Sequence, residues 1–330
     1  MTDHPRICIV GAGAIGGFIA GRLAQAGNDV SLLARGRTLE ALRRHGQRLD
    51  SAGTLVASPV RASDDAQALG PQDVVVITVK APALPEVARA IRPLVGADTI
   101  VIPALNGIPW WFFLDAGLPL GGTRLRSVDP DAGIEASLPV DQVLGAVVFA
   151  SASTPEPGLT LHASGNRIVL GEPKGGSSER ARAVAALFTQ AGFDAPASEN
   201  VRADIWTKLL GNACFNPASL LTGAYTDDMI DDPRLHGMFV AMMDEALALG
   251  TRLGLPAQVE SRARIAFTRG LGHIKTSMLQ DVEAGRPVEI DSILGALVET
   301  AAAAQFPTPT LDTVYAMARM RARTLGLYPG

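Results

Sequence analysis

The chain has little of what would tie it to a disulfide framework, a metal, a membrane or a nucleic acid. Of its 330 residues only two are cysteines, Cys8 and Cys214, and they form no CxxC or Cys/His cluster. Cys8 falls in an apolar strand-like run and Cys214 in a helical pattern, so both read as small core residues rather than a disulfide. The five histidines, His4, His45, His162, His236 and His273, show no ligand spacing, which argues against a metal centre. No stretch reaches the roughly 18 apolar residues of a membrane span. The apolar start lacks the basic lead and unbroken core of a signal peptide, because Asp3 precedes Arg6 and five glycines interrupt the run before Arg22. A cytoplasmic location is therefore expected. A net charge of −4 gives no whole-protein attraction for nucleic acid or an anionic membrane, so an anionic substrate would need a local patch. No repeat or low-complexity tract is found.

What remains is a globular composition, with 47% hydrophobic and 19% charged residues, long enough for two domains that each bury a core. Residues 6–10 (RICIV) form a β-branched run that ends at glycines, as a buried parallel strand does. The pattern predicts a helix over 14–26, closed by Gly27, then strands over 29–33, 74–79 and 99–102, with a helix near 83–93. Strand–helix alternation of this kind defines an α/β fold with an open, doubly wound sheet. Short strands over 143–150, 159–162 and 167–170 are expected to extend that sheet antiparallel, followed by a helix over 179–191 and a last strand over 193–198. Beyond about 200 only helices are predicted, over 201–221, 233–253, 257–270, 274–284, 291–304 and 309–325, several bounded by Pro233, Pro256, Pro287, Pro307 and Pro309. The expected domains are 1–200 and 201–330. A long helix pair of the second domain could also form a homodimer interface.

Gly11-Ala12-Gly13-Ala14-Ile15-Gly16 is a GxGxxG between a strand and a helix, which is where a Rossmann-type dinucleotide site needs it. Gly11 allows a tight turn, Gly13 lets the backbone approach a pyrophosphate, and Gly16 lets helix and strand pack closely. The helix N-terminus offers its free N–H groups and positive dipole end to phosphate. A NAD site carries an acidic residue roughly 20 residues further on, to hold the ribose hydroxyls. Here the second strand runs instead into Ala34-Arg35-Gly36-Arg37, so the reading is NADPH, with Arg35 on the 2′-phosphate. A solvated turn would carry the same arginines.

In IWTKLLGNACFNP, residues Lys208, Asn212 and Asn216 recur every four positions and share one helix face. A lysine with two amides could supply a proton donor and carboxylate contacts along a cleft. The spacing fits equally a solvent-facing stripe with an Asp204–Lys208 surface pair.

The segments IVGAGAIGG, LLAR, ITVKA, ALNGI, IWTKLLGNACFNP and TSMLQDVEAGRPVEID together resemble the ketopantoate reductase (2-dehydropantoate 2-reductase) family over nearly the whole chain. The resemblance implies a Rossmann-type first domain and an all-helical, 6-phosphogluconate-dehydrogenase-like second domain. It also implies NADPH in a cleft between them, a small 2-oxo acid substrate and a place in pantothenate biosynthesis. By the same resemblance Lys208 is the general acid. Asn212, Asn216 and Ser277 are substrate contacts, and Lys80, Asn106 and Glu289 lie around the nicotinamide end of the cofactor. Glu289 could orient Lys208 and keep it protonated; read without the family, it is a carboxylate before a helix that Asp291 caps. Ser277 could equally be a capping hydroxyl, while Lys80 ends a buried strand where open α/β sheets place their ligand.

Two features depart from the family pattern. The aromatic run Trp110-Trp111-Phe112-Phe113 follows Asn106-Gly107 and could line a substrate cleft or form a satellite core. Thr226 stands where such reductases can carry a further asparagine, shortening the polar reach there. The readings left open are a reductase of ketopantoate, a paralogue acting on another 2-oxo acid or carbonyl, and a non-catalytic NADP(H) sensor. A sensor has no use for a proton donor.

Overall fold

The computed structural model describes residues 4–328 apart from Ala116, Pro256 and Gln258. The expected stop at Pro256, and Gln258 near the start of the 257–270 helix, lie outside the described residues. Two compact units emerge, Met1–Leu105 with Gly133–Val201, and Asn106–Ala132 with Arg202–Gly330.

The first unit opens with β1 (Arg6–Val10), α1 (Ala14–Gln25), β2 (Asp29–Leu33) and α2 (Gly36–His45). A hairpin of β3 (Gln47–Ser51) and β4 (Thr54–Ser58) follows, then β5 (Arg61–Ser63), α3 (Ala66–Leu69), β6 (Gln72–Ile77), α4 (Leu84–Ala90) and β7 (Val95–Pro103). After the excursion into the second unit come α5 (Gly133–Ser137), β8 (Gly145–Glu156), β9 (Leu159–Gly171), α6 (Glu179–Gln190) and β10 (Ala197–Ser198). Strands β5-β2-β1-β6-β7 form one parallel sheet in that spatial order. Four consecutive residues of β1, Ile7 to Val10, are buried, which requires both faces of the sheet to be covered. From β1 the chain winds outward through β2 to β5, then returns to β6 on the other side of β1. That reversal is the switch point where open α/β sheets bind ligands, at the carboxyl ends of β1 and β6.

The strands after residue 140 do not extend this sheet. They build a second one, in the order β10-β9-β3-β4 with β8 antiparallel to β9, and a bridge between Val101 and Val143 joins it to the first. Strand β9 also pairs with β3, Leu49 opposite Thr160, so the second sheet depends on a hairpin far away in sequence. Helix α1 lies against residues of both sheets: Phe18, Ile19 and Leu23 share a core with Ile7 and Ile9 on one side and Leu49 and Ile168 on the other. A helix covered by two sheets is expected to be apolar over most of its surface, and in α1 only Arg22 and Gln25 are polar. The strand expected over 193–198 shrinks to β10, since Pro196 has no N–H for a ladder. Both cysteines are free and buried, and burial pushes the Cys8 thiol up to about 12.

The second unit is helical: α7 (Val201–Thr222), α8 (Thr226–Asp231), α9 (Pro233–Arg252), α10 (Ser261–Arg269), α11 (Ser277–Glu283), a π-turn over Asp291–Gly295 leading into α12 (Ala296–Ala303), and α13 (Pro309–Thr324). Its centre is Trp206 on α7, fully buried, whose indole N–H donates to the Ala246 carbonyl of α9 at 3.2 Å. The segment 106–132 departs from the expected first domain because its apolar residues have their burial here. Trp110, Trp111, Phe112 and Phe113 are all at most 3% exposed, and the Phe112 ring lies 6.3 Å from that of Trp206. The Glu299 carboxylate of α12 accepts from the backbone N–H groups of Arg126 and Ser127 at 2.7 and 2.8 Å. The aromatic run is therefore core. Among the described residues no helix is long and apolar enough to cross a membrane.

Candidate active site

The glycine loop joins β1 to α1. Gly11 adopts φ +97°, a conformation strained for any residue with a side chain. A Cβ on Gly16 would stand only 1.9 Å from the Gly11 carbonyl oxygen, whereas a Cβ on Gly13 would meet nothing within 4 Å. Two glycines are thus consumed by packing, and the third leaves open space at the helix N-terminus. No side chain caps that end of α1, and no acidic residue sits in its first turn. Uncapped N–H groups, a positive dipole end and bare backbone suit a pyrophosphate. Ala12, Ala14 and Ile15 add no charge to oppose it. Thr78, just past β6, fixes the loop: its hydroxyl donates to the Gly11 carbonyl at 2.7 Å. Sequence reasoning took Thr78 as one more strand residue, and only the pairing of β1 with β6 reveals the bond.

Arg35 immediately precedes α2, at the carboxyl end of β2, with its side chain 74% exposed. Its contact with Glu86 is 3.6 Å long and equally exposed, a kind of pair that contributes about 0–1 kcal/mol and yields readily to a phosphate. Lys80 follows β6 and precedes a short 3₁₀ turn over Ala81–Ala83, half-buried.

In the second unit Lys208 is not a surface stripe residue. Its ammonium donates to Asn106 Oδ1 at 2.8 Å. An ammonium can only donate, so Asn106 must present its oxygen. Burial pulls the Lys208 pKa down to about 8, and the Glu289 carboxylate acts in the opposite direction. Asn106 is brought into place by its neighbour. Gly107 has φ +89°, and a Cβ there would lie 2.1 Å from the Ser292 carbonyl oxygen. That carbonyl accepts the Ile108 N–H at 3.0 Å, so the loop rests directly on the π-turn that follows Glu289. Such turns interrupt helices most often at functional sites.

Asn212 is half-buried one turn beyond Lys208, and Asn216 one turn further is 5% exposed. Asn216 Nδ2 is buried and meets no acceptor among the described residues. A buried donor left so costs about 1–3 kcal/mol, which a ligand oxygen would recover. Ser277 is exposed at the first residue of α11, and the cap is its neighbour: Thr276 Oγ1 accepts from the Leu279 N–H. Thr276 also meets Ser219 Oγ at 2.5 Å, which sets Ser277 near the end of the α7 stripe.

Two expectations fail here. Thr226 is 2% exposed and spends its hydroxyl on the Ile274 carbonyl at 3.0 Å, so it offers no reach to a substrate. Asp291 caps no helix: its two carboxylate oxygens accept from the hydroxyls of Tyr315 and Tyr328. His273, without ligand spacing in sequence, is exposed, lies 2.9 Å from Asp227 on α8 and stacks on Tyr225.

A GxGxxG loop at a helix N-terminus in one unit and a half-buried, amide-held lysine in the other are parts that a dinucleotide-dependent oxidoreductase needs. The models of the ketopantoate reductase PanE/ApbA family match residues 7–175, and those of its C-terminal domain residues 200–322. The 2-dehydropantoate 2-reductase of Mesorhizobium japonicum is 43% identical over 98% of this chain and 99% of its own. An oxidoreductase of Bacillus subtilis is 30% identical over 96% and 98%. The crystal structure of a Ralstonia solanacearum protein assigned as a ketopantoate reductase superposes with a TM-score of 0.94 at 49% identity, covering 98% of this chain and 99% of that one. D-mandelate dehydrogenase with NADH and anilino(oxo)acetate, at 21% identity and TM-score 0.84 over 97% and 99%, shares the fold. The chain belongs to the ketopantoate reductase family and is an NADP-dependent oxidoreductase acting on a CH–OH group.

Proposed function

We propose that this protein reduces 2-dehydropantoate (ketopantoate) to pantoate, the acid that pantothenate synthesis consumes, with Lys208 as the general acid. The observation that carries the reading is the Lys208 ammonium of a half-buried side chain, held by Asn106 Oδ1 and supported by the charge of Glu289. Bound NADPH supplies the hydride that adds to the 2-oxo carbon. As the carbonyl oxygen becomes an alkoxide, the Lys208 ammonium stabilises the growing charge and delivers a proton from Nζ. A donor with a pKa near 8 is well matched to that task at neutral pH, where a solvated lysine would hold its proton too tightly. The Asn216 amide, with its unspent donor, and Asn212 and Ser277 along the same stripe would hold the carboxylate and hydroxyl of the substrate. The loop Gly11–Gly16 would cradle the pyrophosphate and Arg35 the 2′-phosphate, with Lys80 at the end of β6 reaching the nicotinamide side.

The test is the fall of NADPH absorbance on adding ketopantoate, run beside a panel of other 2-oxo acids. Ketopantoate should give the highest kcat/KM. Tight NADPH binding with no turnover on any member of the panel would overturn the reading in favour of a sensor. Arg35→Ala should weaken NADPH by about 10-fold or more while leaving NADH unchanged, since charge-assisted contacts to phosphate contribute about 1.5–3 kcal/mol. Equal losses for both cofactors would remove Arg35 from the 2′-phosphate.

The pH dependence follows from the direction of the Lys208 shift. Reduction needs the protonated lysine, so kcat/KM is full below pH about 8 and falls tenfold per pH unit above it. Oxidation of pantoate needs the neutral amine and rises through the same range. Glu289 favours the charged lysine, so Glu289→Gln should move the basic limb of the reductive profile to lower pH.

A further inference from the structure

Glu289 lies between two anchored residues, Val288 and Asp291, and the anchors come from α13 and the segment that follows it. The Val288 N–H donates to the Leu327 carbonyl at 3.0 Å. On the other side, Tyr328 donates its hydroxyl to Asp291 Oδ2 at 2.5 Å, and Tyr315 on α13 donates to Asp291 Oδ1 at 2.6 Å. Short bonds of this kind to an ionised acceptor are roughly twice as strong as neutral ones. Tyr328 is itself held: Arg319 Nε donates to its hydroxyl at 3.0 Å, and the guanidinium groups of Arg319 and Arg323 lie 5.3 and 4.9 Å from its ring centre. Val288 and Ile290 are fully buried, so the turn cannot drift without opening the core. The same turn presents the Ser292 carbonyl that accepts the Ile108 N–H and so places Asn106.

We propose that Tyr328, with Tyr315, is a positioning clamp for the catalytic lysine: through Asp291 it holds the 288–292 turn, and that turn sets both Glu289 and the Asn106 loop against Lys208. The two tyrosine hydroxyls fix one carboxylate, Asp291, so that a second carboxylate two residues away keeps a constant distance from the ammonium. The charged and titratable groups facing Asp291 are Tyr315, Tyr328 and Arg319, all from α13 or the segment after it. The one facing Lys208 with a resolved effect is Glu289.

The inference rests on Lys208 being the proton donor, and the test separates the two ideas. Tyr328→Phe keeps the ring and deletes only the hydroxyl. Isotope-edited NMR titration of the Lys208 side chain should show its midpoint falling, by less than in Glu289→Gln. The double variant Tyr328→Phe/Glu289→Gln should shift by less than the sum of the two single shifts, because part of the clamp's effect passes through that carboxylate. In turnover, Tyr328→Phe should lower kcat by about 10-fold with KM for NADPH unchanged, on the principle that small misplacements at a reacting centre are costly. An unshifted Lys208 midpoint in Tyr328→Phe, or shifts that add in the double variant, would overturn the clamp. If Tyr328→Phe does not fold, Tyr315→Phe carries the same comparison. The NMR arm needs no substrate, so it reports on the clamp even where ketopantoate is not turned over.

Discussion

Lys208→Ala is expected to cut ketopantoate reduction by about 10²–10⁴-fold, the usual worth of general acid catalysis. NADPH affinity should be nearly intact, because every residue assigned to its phosphates lies in the other compact unit. The informative companion is Lys208→Arg. A guanidinium keeps the positive charge and can still donate to Asn106, but it does not release a proton near neutral pH. If stabilising the alkoxide were the whole role, arginine would restore much of the rate. The expectation is that it does not, and that single-turnover NADPH oxidation stays slow in both variants. Wild-type-like turnover in Lys208→Ala would remove the residue from the chemistry.

The second large effect is expected from a residue with no side chain at all. Gly107→Ala introduces a Cβ 2.1 Å from the Ser292 carbonyl oxygen at a backbone φ of +89°. Backbone on backbone cannot be relieved by a rotamer change, so the loop must lift. Asn106 moves with it, and the Ile108–Ser292 hydrogen bond is lost. A displacement near 1 Å at a group that orients the proton donor can cost about 10²-fold. The predicted result is a kcat/KM lowered by about 10²-fold with NADPH binding retained, measured by steady-state kinetics and cofactor titration. A variant with unchanged kcat/KM would mean that Asn106 does not orient Lys208.

How much of this could be read from residues alone depends on the range of each contact. The strand–GxGxxG–helix unit is legible because all its parts lie within about one βαβ unit and each glycine has a local reason. The α7 stripe is legible as a periodicity, but its meaning is not. The same four-residue spacing describes an exposed face, and nothing in it announces Asn106, which comes from a distant loop to accept from the Lys208 ammonium. The second sheet escaped because β3 pairs with β9 across more than a hundred residues, and no periodicity in either strand announces its partner. The aromatic run and Thr226 are instructive in the other direction. The aromatic run fits a cleft lining or a satellite core and Thr226 a shortened substrate contact, yet Phe112 packs on Trp206 and Thr226 bonds to Ile274. A bulky apolar run next to a site is more often burying surface than offering it, and a threonine hydroxyl readily satisfies a backbone carbonyl. Asp291 was misread for a related reason: an aspartate before a helix resembles a cap until two phenols are found on its oxygens.

The Thr78 hydroxyl, bonded to the Gly11 carbonyl, ties the glycine loop to the end of β6. A loop that folds around its ligand pays an ordering cost at the moment of binding, and one already tied to the sheet does not. Capture of the dinucleotide should then be limited by encounter rather than by rearrangement, and salt should slow it through the exposed Arg35. Removing the Thr78 hydroxyl would shift that cost from folding to binding, and stopped-flow association would show it as a slower on-rate with little change in the final complex.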